Sequence, residues 1–150
     1  MVMTVISRSA LVTHSAQAMY ELVNDVASYP EFMDGCVGVE IFEHNEHSML
    51  ARLDLKKAGM QISFVTRNRL EAPHQIEMQL QDGPFKMFKG LWSFKPLTES
   101  ACKVSLHLEF EFSRKGLGLA GSSLFAGVAN NLVDSLCQRA DKVLLESNND

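Results

Sequence analysis

At 150 residues, with 46% hydrophobic and 21% charged side chains, the chain has the length and composition of one globular domain, residues 1–150, with a full core. A net charge of −4 excludes a general nucleic-acid binder, and no DNA partner is expected. Three widely spaced cysteines, Cys36, Cys102 and Cys137, exclude a disulfide framework and a paired-thiol metal or redox motif, which points to a reducing compartment. The first ten residues carry no basic and apolar leader pattern. The longest uncharged run, Gly116 to Val133, is too rich in glycine, serine and asparagine to span a bilayer. A cytoplasmic location is therefore expected. The charge is uneven: residues 52–115 hold 11 of the 14 basic side chains and 7 of the 18 acidic ones, so a basic middle lies between acidic ends.

Ile6 to Val12 predicts a first strand. Ser15 then offers an N-cap, and Ala16, Met19, Val23 and Val26 recur at helical spacing, so a helix is expected over Ser15 to Val26. Tyr29-Pro30 should break it, with one further helical turn from Glu31 ended by Gly35. From Val37 to Ser113 the apolar period is two. Val37, Val39 and Ile41 form one such set; Leu53 and Leu55 form another. Ile62 and Phe64 share a face that continues through Thr66, Asn68 and Leu70. Ile76, Met78 and Leu80 follow, then Phe88, Gly90, Trp92 and Phe94, and last Val104, Leu106, Leu108, Phe110 and Phe112. Short turns between these runs predict an antiparallel meander. The closing segment carries Leu124, Val128, Leu132, Leu136, Ala140 and Leu144 at i+4 spacing, joined by Phe125 and Val143, which predicts a long helix facing the sheet. Gly116, Gly118, Gly121 and Gly127 each weaken a helix by about 1 kcal/mol, so a loop is expected over Lys115 to Ser123, with firm helix from near Ser122.

A curved antiparallel sheet cannot cover its own apolar face, so the last helix must pack across it, and such wrapping leaves room for a pocket. Phe64, Met78, Phe88, Trp92, Phe94, Phe110 and Phe112 are bulky inner-face residues suited to an adaptable apolar cavity or to a core. Thr66 and Asn68 bring polarity to that face and need a partner there, internal or in a ligand. His107, Glu109 and Glu111 share the opposite, solvated face of the last strand. His44 and His47 sit in a turn without a third ligand, so no metal is expected. No nucleophile elbow, phosphate loop or dinucleotide fingerprint is present, and no catalytic residue emerges.

Tyr29-Pro30-Glu31-Phe32-Met33-Asp34-Gly35-Cys36 resembles the Tyr-Pro-x-Phe-x-Pro-x-Cys signature of a bacterial family of START-like proteins. Asp82-Gly83-Pro84-Phe85-Lys86, followed by Gly90, Trp92 and Phe94, resembles its second signature. The likeness runs from Ile6 to about Val143, to the ribosome-association toxin and coenzyme Q-binding family within the polyketide cyclase/dehydrase group. It implies an α+β helix-grip fold, a curved antiparallel sheet wrapped around a long C-terminal helix. It also implies two roles: binding the large ribosomal subunit to block subunit association, and holding a quinone or polyisoprenoid lipid that supports respiration. Asp34 departs from the signature's proline, and the glycines before the last helix are more than the family needs.

On this reading Phe32 and Phe85 rim the cavity mouth, and Leu124, Val128 and Leu132 complete its wall. No cofactor is required, a ubiquinone-like lipid is the expected ligand, and peripheral contact with the inner membrane follows from such a ligand. Lys56, Lys57, Arg67, Arg69, Lys86, Lys89 and Lys95 are the candidates for rRNA phosphates. The alternative is an aromatase/cyclase-like enzyme acting on a polyketide-like substrate. It needs an acid–base group inside the cavity, where only Thr66 and Asn68 offer polarity and neither titrates.

Overall fold

The computed structural model describes residues 3–113 and 118–148. In chain order these form β1 (Thr4–Val12), α1 (Ala16–Asn24), a 3-10 turn (Val26–Ser28), α2 (Tyr29–Phe32), β2 (Cys36–His44), β3 (Ser48–Lys57), β4 (Met60–Glu71), β5 (Gln75–Asp82), β6 (Phe85–Thr98), β7 (Ala101–Phe112) and α3 (Gly118–Asn148). Strands β2 to β7 are a meander of antiparallel neighbours. β1 closes the sheet on the far side of β7, giving the order β1-β7-β6-β5-β4-β3-β2. Because β1 and β2 lie on opposite edges, the helical segment between them has to cross one end of the sheet. There α1 packs on β6 and β7, and α2 on β2. Helix α3 lies against β1 and β7 on the concave face, the helix-grip arrangement expected from the alternation.

Ser15 caps α1 as its position predicts, its Oγ accepting from the Ala18 N–H at 3.1 Å. The helix ends at Asn24, two residues before Val26, and a 3-10 turn takes over. The next turn begins at Tyr29, not Glu31. Pro30 sits in its first turn, where a missing N–H costs nothing, so the pair starts a helix that was expected to be broken there.

In β2 an irregularity between Cys36 and Gly38 throws Val37 outward, where it is 55% exposed, while Val39 and Ile41 stay opposite Leu53 and Ala51. Strands β4, β6 and β7 bury one side as the pattern requires: Ile62, Phe64, Thr66, Asn68 and Leu70 on β4, and Cys102 through Phe110 at alternate positions on β7. The β3–β4 hairpin turns through Ala58 and Gly59, both with positive φ, the two-residue geometry that matches strand twist.

Helix α3 starts at Gly118, four residues ahead of the expected Ser122, so tertiary packing outweighs the glycine penalty; Gly121 is buried on its inner side. Lys115, Gly116 and Leu117 lie outside the described residues. The buried stripe is also rotated from the expected row. Phe125, Val128, Ala129, Val133, Leu136 and Ala140 are buried, whereas Leu124, Leu132 and Leu144 are only half-buried. A strict i+4 row drifts about 40° around the helix at each step, so it cannot hold one face for five steps.

Candidate functional site

Helix α3 covers the β1–β7 side of the concave face, and the curled β3–β6 side stands away from it. The space between is a cavity lined by residues of the α1–α2 segment, β3 to β7 and α3. The cavity has a volume of about 60 Å³. The wall is almost wholly apolar. Asn24, Leu53, Met78 and Leu132 are its half-buried members.

Two turns rest on residues of the cavity wall, and both belong to the sequence signatures. Gly35 has φ +91°, and a Cβ there would lie 3.0 Å from Val128 Cγ2, so the α2–β2 turn rests on α3. Gly83 has φ +151°, and a Cβ there would lie 2.7 Å from Phe64 Cβ, so the β5–β6 turn folds onto a wall residue. Gly90 makes room inside. A Cβ would come within 2.6 Å of both Met78 Cε and Leu108 Cδ2, the side chains that reach into the cavity beside it.

Polarity is sparse. Thr66 and Asn68 stand two apart on β4 and so point the same way; Thr66 Oγ1 donates to Asn68 Oδ1 at 3.0 Å. That leaves the Asn68 amide N–H groups as the donors of the pair. Tyr29 also lines the wall, but its O–H donates to the Val23 carbonyl at 2.5 Å, and burial pushes its phenol well above the ordinary range. Asp34, where the signature has proline, is held by Lys57 Nζ at 2.8 Å, and that hydrogen bond and charge lower its carboxyl pKa. The ion pair ties the α2–β2 turn to the end of β3, so a contact stands where ring rigidity was expected.

Of the wall residues expected from sequence, Phe64, Thr66, Asn68, Met78, Phe88, Trp92, Val128 and Leu132 line the cavity. Phe32, Phe85, Phe94, Phe110, Phe112 and Leu124 do not. Phe85, Phe110 and Phe112 gather instead around Phe125, with centroids 5.1, 4.7 and 6.1 Å from its ring, in an aromatic plug beside the cavity. Phe94 packs between Trp92 and Tyr20. Phe32 lies edge-on to Tyr29, beneath the Arg139 guanidinium at 5.3 Å, and Leu124 packs half-buried against the core. Sequence reasoning placed Val23, Val26, Leu53, Leu55, Ile76, Leu106, Leu108 and Phe125 on apolar faces without assigning them to the cavity, and gave Asn24, Tyr29, Met33, Ala51 and Ala129 no place on its wall. Of the latter, only Tyr29 carried a signal, as the first residue of a signature; the others are ordinary residues until the α1–α2 segment and α3 meet the sheet.

The basic candidates are spread over the convex face and its edges. Lys57 pairs with Asp34 at 2.8 Å, Arg67 with Glu43 at 3.3 Å, Arg69 with Glu71 at 2.9 Å, and Lys89 with Glu109 at 3.3 Å. Lys56, Lys86 and Lys95 are exposed. His107 and Glu109 sit on that same convex face, 3.6 Å apart in a shallow depression, away from the cavity as the alternation predicted. Among the described residues no helix is long and apolar enough to cross a membrane.

A family model described as polyketide cyclase / dehydrase and lipid transport matches residues 12–137. The ribosome association toxin RatA of Vibrio cholerae is 49% identical over 138 residues, 92% of this chain and 96% of the relative. The chain belongs to this family, in its ribosome-association toxin group. The family extends to the mitochondrial coenzyme Q-binding protein COQ10 of Drosophila melanogaster, 24% identical over 93% of this chain and 56% of the relative. Its fold is that of the Zhui aromatase/cyclase from a Streptomyces species, which superposes with TM-score 0.82 over 95% of this chain and 96% of the other at 18% identity.

Proposed function

We propose that this chain is a non-catalytic binding protein that associates with the large ribosomal subunit and blocks its joining to the small one, and whose cavity takes a quinone-like or polyisoprenoid lipid. The observation that carries this reading is the 49% identity, over nearly the whole of both chains, with a protein named for ribosome association. The likeness to a coenzyme Q-binding protein and the apolar wall support the ligand. Burial of such a ligand contributes about 25 cal/mol per Å². The Asn68 amide is the donor suited to a quinone carbonyl, and its replacement in Asn68→Leu weakens binding about tenfold, the worth of one hydrogen bond. Pockets for ligands of this size hold about 300–1,000 Å³, so the wall must open to admit one. The location that fits is cytoplasmic with peripheral contact at the inner membrane, where such lipids reside.

The cyclase reading rests on fold alone. Asn24, Tyr29, Thr66, Asn68 and the Trp92 indole are the polar groups on the wall. None of them exchanges a proton near neutral pH, since burial keeps the Tyr29 phenol protonated.

Native mass spectrometry with lipid extraction, on protein purified from its own host, tests the ligand. A quinone that co-purifies with the wild type and is absent from Ala129→Leu, which fills the cavity, upholds it. A wild-type cavity that is empty in every preparation sinks it. Co-sedimentation with purified large subunits tests the ribosomal role, and that binding should weaken steeply with salt.

A further inference from the structure

Lys95 on β6 and Lys103 on β7 stand directly opposite each other on the convex face. Both are exposed, and among the described residues neither has an ion-pair partner, unlike Lys57, Arg67, Arg69 and Lys89. Like charges at directly opposed positions, with Cβ atoms about 5 Å apart, destabilise a sheet. The free protein therefore carries a repulsion that a bound anion would relieve. The adjoining row across the same face is Ser93, Ser105 and Ser9, three small hydroxyl side chains in register on β6, β7 and β1. Beyond Lys103 lies Leu11, 72% exposed, and the acidic Glu99 is set apart at the tip of the β6–β7 hairpin.

We propose that this patch, Lys95 and Lys103 with the row of serines, takes the phosphate–sugar backbone of double-helical RNA in the large ribosomal subunit; the inference rests on the ribosome-association reading above. Two unpaired ammonium groups side by side match neighbouring backbone phosphates. Short hydroxyls next to them let a broad, shallow minor groove lie close and exchange hydrogen bonds with phosphate oxygens and 2′-hydroxyls. Such a surface reads shape and charge rather than base sequence. It also lets a net acidic chain meet an RNA partner, because two cations without an ion pair stand side by side at one place on its surface.

The test is binding of the full chain to purified large subunits, to an RNA duplex of about 16 base pairs, and to vesicles of mixed zwitterionic and anionic lipid. The double variant Lys95→Ala/Lys103→Ala should lose about tenfold or more in affinity for subunits and duplex alike. The slope of log affinity against log salt should fall by about 1.5, for two phosphates released. Lys95→Arg/Lys103→Arg should keep binding, and so should Lys142→Ala, which removes an exposed cation on α3. The thermal midpoint of the alanine variant should equal or exceed that of the wild type, since a repulsion is gone.

Three results overturn the patch: undiminished subunit binding by the alanine variant, a wild type that binds subunits but not the duplex and so uses a ribosomal protein, or a loss confined to vesicles. A wild type that binds no subunits overturns the ribosome-association reading itself, and the duplex arm alone then decides the patch.

Discussion

Gly83 and Gly127 are the same residue under opposite constraints. Gly83 has φ +151° and no space for a Cβ, with Phe64 Cβ 2.7 Å from where it would sit; Gly127 is exposed on α3 with open space around its Cβ position. Gly83→Ala should therefore destabilise by about 2 kcal/mol or more, combining backbone strain with a clash against the cavity wall. Gly127→Ala should stabilise by about 1 kcal/mol. Urea unfolding of the two variants checks both signs, and a destabilising Gly127→Ala would mean that the helix needs that glycine for a contact. In sequence these residues were one of a turn signature and one of several helix-weakening glycines. Their difference lies in what surrounds them.

Helix α3 is held at its two ends by different means. Toward its start, Phe125 inserts among Phe64, Phe85, Phe88 and Phe110, with each edge-to-face contact worth about 1 kcal/mol beyond burial. Farther along, the buried His14 ring bonds Asp141 through Nε2 at 2.8 Å, which pins the helix to the β1–α1 junction. Asp141→Ala leaves that ring nitrogen without its partner and should cost about 1–2 kcal/mol. Hydrogen exchange should then quicken over the second half of α3 while the amides of β6 and β7 keep their protection. Uniform loss of protection would instead mean that the helix and sheet open as one unit. The second anchor was not legible beforehand, because His14 and Asp141 are 127 residues apart and neither belongs to a motif, whereas Phe125 already stood on the sheet-facing stripe.

For the molecule as a whole, burial raises the thiols of Cys36, Cys102 and Cys137 above their ordinary 9.0, and the phenols of Tyr20 and Tyr29 above 10.0. Each group stays protonated in the fold at a pH where the unfolded chain ionises. The unfolded state then binds fewer protons, and stability falls as pH rises past those ordinary values. Asp34 and Asp54 go the other way: Lys57 lowers the first, and Ser63 with Arg52 the second, so their contribution is present above 3.8 and lost as pH falls through their folded values. Urea midpoints should form a plateau between about pH 4 and 9, with a steeper alkaline limb because Tyr29 is buried while Asp34 faces solvent and Asp54 is only half-buried. A midpoint unchanged to about pH 11 would show that Tyr29 ionises in the fold, against its buried hydrogen bond to Val23.

Alternation by itself determined which side of β3 to β7 faces inward, because a pleat sends successive side chains to opposite faces, and it failed at Val37, where an irregularity in β2 breaks the pleat. It likewise required a covering helix, and the motifs placed the two turns that rest on the cavity wall. Depth was another matter. Phe88 and Phe110 share the inner face as equals in sequence, yet one lines the cavity and the other is sealed into the plug around Phe125, according to where α3 crosses the sheet. Charge followed the same division. Composition located a basic middle segment, but strand register decided that Lys89 meets Glu109 while Lys95 meets only Lys103. Periodicity is a local property of the chain and assigns faces; distances between residues remote in sequence exist only once the sheet has curled and the helix has docked.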